Sequence, residues 1–63
     1  MDEDELNDAV RKLGAKVWGR PAKKTRYAVR LTLPDRRDFD GEGESITGAL
    51  KHAVSEALKA VDS

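Results

Sequence analysis

The side chains best placed to do chemistry in this 63-residue chain are cations, and the chemistry they offer is charge recognition. Eight bases (Arg11, Lys12, Lys16, Arg20, Lys23, Lys24, Arg26 and Arg30) fall between residues 11 and 30, with no acid among them. Residues 1–10 hold five acids and no base, and residues 31–63 hold seven acids against four bases. The formal net charge is zero, yet the middle third carries a local positive field, and local fields are what a partner meets. Such a segment is either a binding patch for an anionic partner or a solvated strand face flanked by acidic helices.

Catalytic and metal chemistry lack their parts. The chain has no cysteine, so neither a nucleophilic thiol, a disulfide nor a Cys-based zinc site is available. His52 is the only histidine and falls on the polar side of a helical pattern, where solvation is its ordinary fate. Asp35, Asp38, Asp40, Glu42 and Glu44 cluster in sequence, but no calcium-loop spacing is present and such acids in a turn commonly face water. Gly41-x-Gly43 lacks both a third glycine in register and a βαβ setting, so it is no dinucleotide fingerprint. The expectation is a non-enzyme with no cofactor and no metal. No apolar run approaches a membrane span, and the first residues are acidic rather than signal-like, so a cytoplasmic protein with no membrane partner is expected.

The elements that must position the cations can be read from periodicity. Leu6, Ala9, Val10 and Leu13 form one apolar stripe and predict a helix over residues 4–13, stopped by Gly14. Asp2, Glu3, Asp4 and Glu5 suit the positive end of its dipole. Residues 15–18 predict a first strand, followed by a Gly/Pro loop through Lys24. Residues 26–33, RYAVRLTL, predict the strongest strand. Tyr27, Val29, Leu31 and Leu33 line an apolar face opposite Arg26, Ala28, Arg30 and Thr32. After a turn at 34–37, residues 38–42 predict a short third strand with Phe39 inward.

Ser45 then caps a helix over residues 46–61, whose stripe runs Ile46, Ala49, Leu50, Ala53, Val54, Ala57, Leu58 and Val61. Alanine at every fourth position gives that helix a thin contact face. The fold class is therefore α+β, one small domain over residues 1–63: α-β-β-β-α, with two helices on one face of an antiparallel sheet. With so few bulky residues, Trp18 and Tyr27 are both expected in the core. A core this thin also makes a homodimer attractive, because a second copy adds buried area.

The pattern Gly41-x-Gly43-x-Ser45-x-x-x-Ala49-x-x-x-Ala53-x-x-x-Ala57-Leu58 resembles the C-terminal signature of double-stranded-RNA-binding domains. The resemblance covers about Leu6 to Val61 and implies the same α-β-β-β-α order. It also implies that the loop between the first two strands enters a minor groove of duplex RNA, beside the N-terminus of the last helix. Nucleic-acid contacts would then fall to Arg20, Lys23, Lys24, Arg26, Ser45 and Lys51. The chain departs from the family where phosphate-binding lysines are expected: Ile46, Thr47 and Leu50 stand there, and Lys51 comes one position late, about 100° round the helix. Glu42 and Glu44 flank the helix start. The run from Tyr27 to Leu58 is also similar to the strand-to-helix part of HicB-type antitoxins, which act by protein contact. Two functions follow: a binding module for double-stranded RNA or another structured nucleic acid, or a protein-interaction or dimerisation module that keeps the fold without RNA affinity.

Overall fold

Residues 2–20 and 26–62 are described by the structure, a computed structural model. The order is α1 (Glu3–Leu13), β1 (Lys16–Arg20), β2 (Tyr27–Thr32), β3 (Asp38–Gly43) and α2 (Ile46–Asp62). The predicted α+β class and order hold.

Local chemistry fixes the ends of both helices. Asp2 caps α1, its carboxylate accepting the Glu5 N–H at 2.9 Å. Gly14 closes α1 in the left-handed region at φ 64°. There Gly14 donates to the Arg11 carbonyl and Ala15 to the Val10 carbonyl, the paired bonds of a Schellman stop. At α2, Ser45 Oγ accepts the Gly48 N–H at 3.0 Å. The predicted cap is in place.

The sheet is an antiparallel meander, β1-β2-β3, with β2 central. Its register sets Val17 opposite Leu31 and Phe39, and Gly19 opposite Val29 and Gly41. These residues, with Tyr27 and Gly43, form the inner face. Lys16, Trp18, Arg20, Ala28, Arg30, Thr32, Asp38, Asp40 and Glu42 form the outer face. The β2–β3 hairpin turns through Pro34, Asp35 and Arg36: Arg36 donates to the Leu33 carbonyl, and Leu33 to that of Arg37. Arg36 takes a positive φ of 70°, the left-handed residue that a three-residue hairpin loop requires.

Helix α2 lies over β3 and β2, and α1 packs against α2. Leu6, Leu31, Leu33, Ala53, Val54 and Ala57 form the buried core cluster, with Ala9, Val10, Leu13 and Phe39 packed around it. Three sequence expectations are corrected here. Trp18 is not a core anchor: it lies on the outer face and is 52% exposed. Lys16 and Arg20 share its side of β1, so burying the indole would bury two cations. Tyr27 is on the inner face but 47% exposed, because it lies at the strand's first residue. The stripe of α2 is buried only at its centre, since Ile46 and Val61 are both exposed.

Gly41 and Gly43 are both residues of β3, and their missing side chains set the approach of α2. A Cβ built on Gly41 would collide with the Ala49 carbonyl oxygen and the Ala53 nitrogen. One built on Gly43 would come within 2.7 Å of the Ala49 nitrogen. Glycine below and alanine above therefore bring helix and strand backbones nearly into contact.

Candidate interaction surface

The outer face of the sheet gathers Lys16, Arg20 and Arg30, with Arg26 at its end, and places carboxylates beside the arginines. Along β3, Asp38, Asp40 and Glu42 recur at every second residue, so all three project to the side that carries the β1 and β2 arginines. Asp40 sits at the centre. Arg30, its cross-strand partner, donates from Nε to Asp40 Oδ1 at 2.9 Å and from Nη2 to Oδ2 at 3.4 Å. Arg20 reaches the same carboxylate from β1, with Nη1 2.7 Å from Asp40 Oδ2. It crosses β2 where Ala28, its register partner, offers only a methyl group. Arg26 pairs with Glu42 at 3.5 Å, and Thr32 Oγ1 donates to Asp38 at 2.8 Å.

These pairs are exposed, and surface ion pairs of this kind contribute little to stability. Their larger effect is on the field. The arginines face carboxylates of the same protein, so the potential they present to an anion is much reduced. Protonation equilibria carry the same information. Hydrogen bonding to Asp40, reinforced by its charge, raises the Arg30 guanidinium further above its usual range. The Arg30 hydrogen bond, joined by the charges of Arg20 and Arg30, holds the Asp40 carboxyl below the usual carboxylate range, although desolvation, second in size only to that hydrogen bond, opposes it. At the hairpin, the Arg37 N–H and guanidinium lower Asp35 in the same way.

A pH dependence follows, with its sign. Asp40 is lowered in the folded state, so its contribution is fully present above the unfolded-state value of about 3.9 and is lost as pH falls through the lower folded value. Asp40→Asn removes that contribution. Urea midpoints of the parent and the variant should differ near neutrality and converge as pH falls through the lowered folded-state value. A constant difference across that range would show that Asp40 is not stabilised by its arginines.

The six residues expected to meet nucleic acid are distributed as follows. Arg20 and Arg26 lie at the sheet end that also carries the start of α2, as the strand order requires, and both are paired with acids of β3. Ser45 spends its Oγ on the Gly48 amide. Lys51 is exposed on α2 and has no ion-pair partner among the described residues. Lys23 and Lys24 lie outside the described residues. Among the described residues, no group of three His, Cys, Asp or Glu side chains is placed to hold a metal ion. No helix among them is long and apolar enough to cross a membrane.

Two features escaped sequence reasoning. The acids at 38, 40 and 42 lie on the third strand, as predicted, but Asp40 and Glu42 pair with arginines instead of only facing water, and their period of two against arginines at 26 and 30 was the available signal. His52 is not simply solvated: its Nδ1 accepts the Glu42 N–H at 3.2 Å, and its Nε2 lies 3.7 Å from Glu56. Nothing in residue order alone aligns that ring with the outer edge of β3.

No family model matches this chain, and no curated protein or solved structure matches it either.

Proposed function

We propose that this domain is a non-enzymatic protein-interaction module. One observation carries the reading: the outer-face arginines Arg20, Arg26 and Arg30 are each engaged by Asp40 or Glu42. A surface that binds duplex RNA needs cations free to displace counterions from phosphates, because that release supplies most of the affinity. Here three of the available guanidiniums would first have to give up a carboxylate. The start of α2 adds Glu42 and Glu44 beside the amides a phosphate would approach.

Duplex RNA binding, which the resemblance implies, is the second reading. What favours it is the gathering of Arg20, Arg26 and the α2 N-terminus at one end of the sheet, with Lys51 exposed on the same helix.

A titration separates the two. Labelled RNA and DNA duplexes of equal length are titrated with the protein at low and at physiological salt. The interaction reading expects no saturable binding to either at physiological salt. The double variant Asp40→Asn, Glu42→Gln, which frees three arginines, should gain affinity for both duplexes. Its steeper salt dependence would approach a log–log slope change of about 0.9 per phosphate newly neutralised. Tight, RNA-selective binding by the parent protein, weakened by Lys51→Glu, would overturn the reading in favour of the second.

A further inference from the structure

The two edges of the sheet differ. On β3, His52 of α2 accepts the outward N–H of Glu42, so a side chain occupies that edge toward the strand's C-terminal end. On β1 all five residues are exposed, and β1 is the terminal strand of the sheet. The hairpin bond from Leu33 to Arg37 commits the odd-numbered backbone groups of β2 to β3. The even-numbered ones therefore bond β1 at Lys16, Trp18 and Arg20. Val17 and Gly19 are left with N–H and C=O groups directed away from the sheet.

Both faces of this edge are open. On the inner side neither helix covers β1: Val17 is 46% exposed, and a Cβ placed on Gly19 would have nothing within 4 Å. On the outer side, Lys16 and Arg20 flank the half-exposed Trp18. Among the described residues Lys16 has no ion-pair partner, while Arg20 shares Asp40 and retains guanidinium donors beyond the one that Asp40 takes.

We propose that the β1 edge receives an acidic, extended segment of a partner protein as a fourth, antiparallel strand. This rests on the interaction-module reading above and adds the surface and the chemistry of the ligand. The outward groups of Val17 and Gly19 supply the ladder bonds, as in other recognition by strand addition. Residues opposite Lys16 and Arg20 are acidic, because directly opposed charges of opposite sign stabilise a cross-strand pair. Residues opposite Val17 and Gly19 face the inner side and are apolar, the larger one lying over Gly19 where the space is empty. From N- to C-terminus the ligand reads acid, large apolar, any residue, apolar, acid.

Charge selects this occupant over a second copy of the chain. In the fully overlapped antiparallel pairing of two β1 strands, centred on Trp18, each Lys16 opposes the other copy's Arg20. Like charges directly opposite destabilise such a pair.

A nine-residue peptide with the central run Glu-Leu-Thr-Val-Glu tests this on the full chain. Trp18 is the sole tryptophan and lies on the edge, so its emission reports docking. Saturable binding with a blue shift is expected, together with slowed hydrogen exchange at the Val17 and Gly19 amides. Lys16→Glu should weaken binding about tenfold, and a peptide with lysine at its C-terminal acid should restore it. Val17→Pro removes an outward N–H without breaking a β1–β2 bond and should abolish binding. Absence of saturable binding overturns the proposal, as does binding that leaves both amides unchanged or is indifferent to Lys16→Glu. A concentration-dependent dimer lost in Val17→Pro would place a second copy on the edge and overturn the acidic strand. Peptide failure in a chain inert toward RNA defeats this inference alone. Peptide failure with tight RNA binding defeats the interaction reading as well.

Discussion

Gly41→Ala is expected to abolish cooperative folding. The added methyl would stand inside contact distance of the Ala49 carbonyl oxygen and the Ala53 nitrogen, and 3.0 Å from the Ala53 Cα. All three belong to helix backbone, which cannot rotate aside as a side chain would. Relief requires moving α2 off β3, the largest packing interface of the fold. Overpacking against adjustable side chains already costs about 1–3 kcal/mol, so a backbone collision here should cost at least about 3. A domain of this length has roughly 3–9 kcal/mol to lose. Thermal melting followed by far-ultraviolet circular dichroism checks the expectation. Gly19→Ala is the control: its Cβ enters open space, and the change should lie within about 0.5 kcal/mol of the parent. Equal melting of all three proteins would mean that α2 does not sit this close to the sheet.

Leu31→Ala is the second large effect. Leu31 is central in β2, fully buried, and shares the core with Leu6, Leu33, Ala53, Val54 and Ala57. Its neighbours across the interface are largely methyl groups, which cannot swing in to fill the space. Removing the isobutyl group should cost roughly 2–5 kcal/mol. At about 4–8 °C per kcal/mol for a chain of this size, the melting midpoint should fall by about 10 °C or more. Val17→Ala, on the same face but nearly half exposed, should shift it by a few degrees at most. A comparable loss at both positions would show that β1 is covered in solution.

The fold was legible because its elements carry clean periods. RYAVRLTL alternates strictly, and the α2 stripe repeats at helical spacing with a serine cap ahead of it. Errors arose where residue type was weighed above strand parity. Tryptophan suggested a core, yet Lys16 and Arg20 at two residues on either side already assigned position 18 to solvent. Gly41 fell within the predicted third strand, but nothing in residue type showed that it and Gly43 share the inner face, beneath the alanines of α2. The acids of β3 were taken for a solvated run because the pairing that opposes Asp40 to Arg30 exists only once the hairpin closes. Cation positions were thus readable, but their neutralisation was not, since Arg20 meets Asp40 across an intervening strand.

The strand order has a kinetic consequence. With each strand beside its sequence neighbour and no crossover, the sheet assembles through two local hairpins. Packing α1 against α2 closes segments roughly 50 residues apart, an entropic cost about 2 kcal/mol above that of a short hairpin loop. Docking of α1 therefore belongs late in the folding reaction, and substitutions in that helix should accelerate unfolding far more than they slow refolding.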